Sequence, residues 1–337
     1  SKGFQAAFCT EGGSMGPTGR RVFEALDIQV GKEAPVYFTH EEESSNYHGI
    51  GIVDGVNHGV DPGKWQVYKH VGAQEQLRDR KCDIFFIWDP DGDRFNMVTT
   101  APIGLAAQAE AAGLEVDPLD DTRCLVFFKP NQIYFMLTAL KIASLKETGE
   151  LGDYNWIVAS TFPTSMSIGE VATTFNDRFG GALATYRVPV GFKYFAELVG
   201  DLEKQMAAGA AETSATDVTG VTTIFGSQPR LLMMAEESGG AAMGPAEPVN
   251  SRGSQRTSLA AKEKDAMQIG VMALCLAARL HNQGGSFAGY YLELLEKFET
   301  RYRFYERRDV TLFDESLQGE KRAAAKAAGN ARKEATV

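Results

Sequence analysis

Residues 83–94, DIFFIWDPDGDR, set the interpretation of the whole chain. The short apolar run predicts a buried strand, and a loop follows it with carboxylates at Asp89, Asp91 and Asp93 and a guanidinium at Arg94. Because an extended loop projects alternate residues to the same side, the three carboxylates can converge on one hard cation such as Mg²⁺. The stretch therefore predicts a cation site suited to receiving a phosphate.

Composition limits the partners and the compartment. Lys+Arg 34 against Asp+Glu 44 gives a net charge of -10, which disfavours nucleic acid and anionic membrane surfaces as partners. The longest apolar helical stretch, residues 269–280, is too short for a membrane span, and no signal-like segment is seen at the start. The 4 cysteines form no CxxC pair, so we expect structural thiols and a cytoplasmic protein.

Local patterns predict three further elements. Residues 65–78 have helical spacing, residues 207–222 are a low-complexity Ala/Thr/Gly stretch that predicts a surface loop, and residues 262–265 cap a long apolar helix over residues 266–280.

Strand-like and helix-like patterns alternate along the chain. This alternation predicts an α/β fold of tandem βα domains, with mostly parallel mixed sheets flanked by helices. We expect a first domain at residues 1–122, with a linker or insertion at 101–121, and a second domain at 123–300. Residues 301–337 are expected to begin a truncated C-terminal domain.

Besides a plain surface turn, the acidic loop has three possible chemical interpretations. An EF-hand needs Gly at its sixth position and Glu at its twelfth, where this chain has Arg94 and Thr100, so that interpretation fails. A phosphatase of the haloacid-dehalogenase type would use Asp89 as nucleophile and Asp91 as acid/base. In a metal loop for phosphoryl transfer, the cation and Arg94 would neutralise phosphate oxygens.

Further motifs follow the loop in order along the chain. They are the strand-turn-helix opening, residues 188–195 (VPVGFKYF), residues 236–239 (EESG) and residues 263–265 (EKD). Together with residues 89–94 they make the chain resemble the α-D-phosphohexomutase superfamily, most closely the bacterial-type phosphoglucomutases. The resemblance covers the second and third domains of that family and the beginning of its fourth.

The resemblance implies roles for individual residues. Mg²⁺ would bind at Asp89, Asp91 and Asp93, and Arg94 would lie beside the substrate; Glu236 and Ser238 would contact ring hydroxyls, Lys264 would be the general acid/base, and Gly191 and Lys193 would belong to the loop that selects the sugar's orientation. Glu236 and Ser238 suit contact with hydroxyl groups, because a carboxylate accepts hydroxyl hydrogens and a serine both donates and accepts hydrogen bonds. Lys264 could equally be an ordinary charge at a helix start.

The chain also departs from the family pattern. It has no Thr-Ala-Ser-His-Asn-Pro-like phosphoserine loop and no Arg/Ser/Gly/Thr loop for the distal phosphate, and Ala235 and Ala266 stand where glycines are usual. We therefore expect the central part of a phosphohexomutase that lacks its serine domain and its C-terminal phosphate-binding domain and is inactive alone. The complete enzyme would interconvert hexose 1-phosphate and hexose 6-phosphate, with glucose favoured, through hexose 1,6-bisphosphate. A truncated, non-catalytic sugar-phosphate binder and the phosphatase remain as alternatives.

Overall fold

The computed structural model describes residues 3–53, 56–57, 59–253, 256–305, 312–314 and 317–334. The chain divides into two compact units, Ser1–Arg303 and Phe304–Val337. The first unit contains both large sheets. In the second, the described part is mainly one alanine-rich helix, as the composition of that segment predicts.

The first unit opens with a six-stranded sheet in the order β2-β1-β5-β6-β8-β7. Its strands are β1 (Ala6–Cys9), β2 (Val36–Thr39), β5 (Ile84–Trp88), β6 (Phe95–Pro102), β7 (Glu115–Pro118) and β8 (Arg123–Phe127), and a separate antiparallel pair is β3 (Ile52–Val53) with β4 (Val56–Asn57). Strands β2, β1 and β5 run parallel, whereas β5-β6, β6-β8 and β8-β7 pair antiparallel.

A four-stranded sheet follows in the order β10-β9-β13-β14. The remaining strands are β9 (Asn155–Thr161), β10 (Ala184–Val188), β11 (Thr213–Thr216), β12 (Thr222–Gly226), β13 (Pro229–Ala235), β14 (Ala241–Ala242), β15 (Val249–Asn250) and β16 (Thr257–Ser258). Here β10, β9 and β13 are parallel and β14 is antiparallel to β13. The prediction of tandem βα sheets of mixed strand direction is confirmed.

Ten α-helices accompany these strands in the described part of the chain. They are α1 (Met15–Ala25), α2 (Trp65–His70), α3 (Ala73–Arg78), α4 (Ala106–Ala111), α5 (Pro130–Thr148), α6 (Ser167–Phe179), α7 (Lys193–Ala207), α8 (Ala266–Asn282), α9 (Phe287–Lys297) and α10 (Gly319–Glu334), with 3₁₀ turns at Tyr47–Gly49, Ile103–Leu105 and Glu150–Gly152. No helix among the described residues has the length and apolar character needed to cross a bilayer.

Strand β5 is buried on both faces. Ile84, Phe86 and Trp88 join the large core shared by the two sheets, while Phe85 and Ile87 enter a smaller core on the opposite face of the first sheet. This division is the period of 2 that a pleated strand imposes. Covering helices on both sides explain why the run is continuously apolar in sequence.

Helix α8 fixes the end of β5 against the second sheet. The indole nitrogen of Trp88 donates a hydrogen bond to the carbonyl of Ala266 at 2.9 Å. A Cβ at Gly270 would lie 2.8 Å from the same nitrogen, so only glycine allows this approach. The start of α8 is thereby held beside the loop that follows β5.

Several elements differ in detail from the sequence predictions. The single helix expected over residues 65–78 is two short helices, because Gly72 between them adopts a left-handed φ of 71°. Residues 207–222, expected as a low-complexity loop, contain β11 and lead into β12 as an antiparallel hairpin. Helix α9 was not predicted.

The expected linker at residues 101–121 has regular structure. It contains the end of β6, helix α4 and strand β7, and β7 pairs with β8 at the edge of the first sheet. The six-stranded sheet therefore continues to Phe127. The division of the chain at 122 and 300 into family-like domains stays a prediction.

Candidate functional site

The acidic loop is a hairpin connection between β5 and β6. Trp88 pairs with Phe95 in the antiparallel register, so residues 89–94 form the turn between them. Gly92 has a φ of 76°, and a Cβ there would lie 2.2 Å from the sulfur of Met15. Both the backbone conformation and the close packing require glycine at this position.

Asp89 anchors the loop from within. Its Oδ1 accepts hydrogen bonds from the backbone nitrogens of Asp93 and Arg94, each at 2.9 Å. Burial raises the pKa of the Asp89 carboxyl, and the backbone hydrogen bond from Arg94 opposes that rise. Burial also acts to raise the pKa of Asp93, but hydrogen bonds with Lys264 and Asp89 outweigh it and leave this pKa below its usual value.

The three aspartates converge as the sequence predicts. One carboxylate oxygen from each of Asp89, Asp91 and Asp93 lies within 4.8 Å of the others, and this is the one such cluster of potential metal ligands among the described residues. The Oδ1 of Asp93 is buried without a hydrogen-bond partner. This Oδ1 lies 3.5 Å from the Nε of Arg94 as an ion pair. Three oxygen donors at this spacing fit a hard divalent cation such as Mg²⁺.

Arg94 is held by carboxylates on two sides. Its Nη1 lies 3.3 Å from Oδ2 of Asp61, and its Nε lies 3.4 Å from Oδ2 of Asp89. The other oxygen of Asp61 accepts from the backbone nitrogen of Gly63 at 2.9 Å, so Asp61 is itself fixed. The guanidinium thus has a defined position at the edge of the acidic loop.

The EESG motif forms the second hairpin loop of the site. Ala235 at the end of β13 pairs with Ala241 in β14, so residues 236–240 form the turn. Within this turn Ser238 donates its hydroxyl hydrogen to Oε1 of Glu236 at 2.5 Å. Only 5% of Glu236 is exposed, which leaves its carboxylate in a low-dielectric setting where hydrogen bonds are strong.

Backbone hydrogen bonds join the two hairpin loops. The nitrogen of Phe95 donates to the carbonyl of Gly239 at 3.2 Å, and Arg94 and Gly240 form an antiparallel bridge. The nitrogen of Ala266 donates to the carbonyl of Gly92 at 3.1 Å. The acidic loop, the EESG loop and the start of α8 therefore share one hydrogen-bonded frame.

Lys264 lies between the two loops. Its Nζ is 2.9 Å from Oδ2 of Asp93 and 3.2 Å from Oε1 of Glu236. Burial acts to lower the pKa of Lys264, but the two carboxylates outweigh it and raise this pKa. The cap of α8 is Asp265, which accepts from the nitrogens of Met267 and Gln268, so Lys264 is not the capping residue.

Gly191 and Lys193 lie apart from this cluster. Gly191 lies in the turn that leads into α7 and has a φ of 117°, and Lys193 is the first residue of that helix. The exposed Lys193 ammonium lies 4.9 Å from the ring centroid of Tyr194. Within the described part of the chain, neither residue has a hydrogen bond or ion pair to the acidic loop or the EESG loop, so their substrate role stays a prediction.

Three acidic residues around the site were not singled out from the sequence. Asp61 pairs with Arg94, Glu237 accepts from the hydroxyl of Thr161 at 2.8 Å, and Glu11 is buried near Asp89. No local spacing pattern relates them to residues 89–94. Of the three, only Glu237 could have been identified from the sequence, because it lies inside the EESG motif.

Comparisons with known proteins add limited information. No protein-family model matches the sequence, and no curated protein matches it. Among solved structures, the chain is similar to Aspergillus fumigatus N-acetylphosphoglucosamine mutase in complex with GlcNAc-6P and magnesium, at 12% identity and a TM-score of 0.41 over 86% of this chain and 49% of that one.

Two further structures are similar to a comparable degree. One is an N-acetylglucosamine-phosphate mutase of the α-D-phosphohexomutase superfamily in its apo form, at 12% identity, a TM-score of 0.41, and coverage of 85% of this chain and 46% of that one. The other is an Aspergillus fumigatus mutase variant in complex with glucose 1,6-bisphosphate, at 13% identity, a TM-score of 0.39, and coverage of 88% and 45%. The chain spans about half the length of these structures, and similarity at this level establishes neither a family nor a substrate.

Proposed function

We propose that the chain is part of a phosphohexomutase-type enzyme that interconverts hexose 1-phosphate and hexose 6-phosphate, with glucose favoured. The observation that supports this most directly is the position of Lys264, within 3.2 Å of both Asp93 and Glu236. A candidate cation loop, a loop suited to hydroxyl groups and an amine that can transfer a proton therefore meet in one place. That combination is what phosphoryl transfer to a sugar hydroxyl requires.

Each residue would have a distinct role in that reaction. Mg²⁺, when bound by Asp89, Asp91 and Asp93, would neutralise phosphate oxygens. Arg94 would add a fixed guanidinium beside the same phosphate, because Asp61 and Asp89 hold it in place.

Glu236 and Ser238 would contact sugar hydroxyls. Their mutual hydrogen bond of 2.5 Å orients both groups before a ligand arrives, which lowers the entropic cost of binding. Lys264 would act as the general acid/base: its raised pKa keeps the ammonium charged, so it is set to donate a proton to a sugar oxygen first.

The proposed chemistry also uses a phosphoserine, and no Thr-Ala-Ser-His-Asn-Pro-like stretch occurs in this sequence. We propose that a phosphoserine domain and a C-terminal phosphate-binding domain complete the site, with hexose 1,6-bisphosphate as the intermediate. On this proposal the 337 residues bind Mg²⁺ and sugar phosphate but do not turn over. Mutase activity measured from this chain alone in a coupled assay would contradict the requirement for a separate serine domain.

Binding rather than turnover tests the site in this chain. Calorimetry with glucose 1-phosphate and glucose 6-phosphate in the presence of Mg²⁺ should detect binding, and Glu236→Gln should weaken it at least tenfold because a charged hydrogen-bond acceptor is lost. Glu296→Gln, at an exposed position of α9, is the matched control and should leave affinity unchanged. Equal affinity in wild type and Glu236→Gln would overturn the assignment of the sugar loop.

The phosphatase alternative makes a separate prediction. A haloacid-dehalogenase-type enzyme would release inorganic phosphate from a phosphate monoester and lose that activity in Asp89→Asn. A phosphohexomutase fragment would release none in either form. Phosphate release by the wild-type chain would therefore replace the mutase proposal.

A further inference from the structure

Glu11 is the unusual acidic residue of this region. It follows β1 by two positions, it is 0% exposed, and both of its carboxylate oxygens are buried without a hydrogen-bond partner. Among the described residues no other carboxylate has both oxygens in this state. Burying a carboxyl group without partners costs several kcal/mol in general, so the arrangement calls for a compensating interaction.

The backbone at Glu11 is also strained. Its φ is 51°, in the left-handed region that a non-glycine residue enters at a cost of about 1 kcal/mol or more. Hydrogen bonds on both sides hold it there: Gly12 donates to the carbonyl of His40 at 2.7 Å, and Ser14 donates to the carbonyl of Pro90 at 2.9 Å. The turn is thus fixed directly onto the acidic loop.

The nearest charged groups belong to the candidate cation site. Burial first, and then the charges of Asp89 and Asp61, raise the pKa of Glu11 to about 9 against the opposing effect of Arg94. A second unpartnered polar atom, the hydroxyl of Tyr68, is buried and interacts electrostatically with Glu11. Two buried polar groups without hydrogen-bond partners, the Glu11 carboxyl and the Tyr68 hydroxyl, therefore interact beside the acidic loop.

Glu11 does not belong to the innermost cluster. The oxygens that lie within 4.8 Å of one another come from Asp89, Asp91 and Asp93. In the parallel pairing of β1 with β5, Cys9 lies opposite Ile87, so Glu11 leaves β1 at the level at which Asp89 leaves β5. A carboxylate beside such a set is suited to accept hydrogen bonds from water that the ion carries, and Mg²⁺ characteristically keeps several waters.

We propose that Glu11 is a fourth carboxylate of the cation site, accepting hydrogen bonds from water held by an ion at Asp89, Asp91 and Asp93. This inference rests on the proposed function only in requiring that the acidic loop binds a divalent cation. It assigns the strained turn after β1 to the metal site, and it gives the two unpartnered oxygens a partner.

The test is a Mn²⁺ titration of the chain, followed by the electron paramagnetic resonance signal of free Mn²⁺. Glu11→Gln keeps the shape of the side chain and removes the charge, and Glu11→Leu removes the acceptors altogether. Both should weaken Mn²⁺ binding 10- to 100-fold, the usual effect of losing an outer-shell carboxylate. Glu24→Gln, on the exposed face of α1, is the control and should bind as wild type does.

Thermal melting without metal separates a ligand role from a folding role. Because each substitution removes an unpaired buried carboxyl, both variants should melt at or above the wild-type temperature. Mn²⁺ affinity within twofold of wild type in both variants, with Asp89→Asn abolishing binding, would overturn the role of Glu11 and leave the cation loop intact. Failure of the wild-type chain to bind Mn²⁺ would instead overturn the cation loop, and the role of Glu11 with it.

Discussion

Lys141, on the long helix α5, carries a buried amine whose removal should stabilise the protein. Its Nζ donates to the carbonyl of Gly244 at 2.8 Å and lies 5.5 Å from the ring centroid of Trp156. Among the described residues, no carboxylate charge offsets the cost of burying this amine. Burial lowers its pKa from 10.5 to about 8, since the charged form loses its hydration.

The pKa difference converts into a free energy of unfolding. The fall from 10.5 to about 8 corresponds to roughly 3 kcal/mol. Below pH 8 the amine is protonated in both folded and unfolded chains, and the folded state bears the full cost of the buried charge. Between pH 8 and 10.5 the unfolded chain binds more protons than the folded chain, so the free energy of unfolding rises with pH. Above pH 10.5 the amine is neutral in both states and its burial no longer costs free energy.

Lys141→Met should therefore stabilise the protein near neutral pH. The gain of about 3 kcal/mol is partly offset by loss of the hydrogen bond, about 1 kcal/mol, and of the contact with Trp156, about 0.5–1 kcal/mol. We expect a net increase of about 1–1.5 kcal/mol at pH 7. At pH 10.5 the burial cost is gone but the hydrogen bond is still missing, so the variant should be about 1 kcal/mol less stable than wild type.

Urea unfolding at several pH values measures the free energy of unfolding of the variant and of wild type. The difference between the two cancels the effect of all other titrating groups, because both proteins contain them. Lys146→Met, at an exposed position of the same helix, is the control and should show no such pH-dependent difference. A Lys141→Met variant whose stability relative to wild type is constant from pH 7 to 10.5 would refute the argument.

Three other substitutions test the candidate site and its support. Asp89→Asn should abolish Mn²⁺ binding in a titration, because the loop loses a charged ligand that also fixes its backbone. Lys264→Met should strengthen Mn²⁺ binding roughly tenfold, because it removes a cation 2.9 Å from Asp93, and unit charges at such range interact by about 1 kcal/mol or more. Gly270→Ala should lower the free energy of unfolding by about 1–3 kcal/mol, since the added methyl meets the indole of Trp88 at 2.8 Å.

Each of these has a matched control. Asp79→Asn, at an exposed helix end, should leave Mn²⁺ binding unchanged, and so should Lys146→Met. Gly104→Ala, where a Cβ meets nothing within 4 Å, should be close to neutral in urea unfolding. Weaker Mn²⁺ binding in Lys264→Met, or equal stability of the two alanine variants, would contradict the corresponding prediction.

Much of the fold was predictable because its signals are local. Strand β5 was recognised from five consecutive apolar residues, and α8 from Asp265 followed by an apolar run. The divided helix at residues 65–78 was missed because a single glycine within a helical pattern is often tolerated, and here Gly72 adopts a left-handed conformation instead.

For the candidate site, the sequence by itself determined the convergence of Asp89, Asp91 and Asp93, because three ligands two residues apart in one turn need no distant partner. Tertiary structure alone decided the surroundings of that turn. Residues far apart in the chain meet there because hairpin loops from two different sheets share backbone hydrogen bonds, and strand order and loop packing leave no trace in local spacing. That packing brings Lys264 to Glu236, aligns Asp61 with Arg94 and buries Glu11 beside the loop.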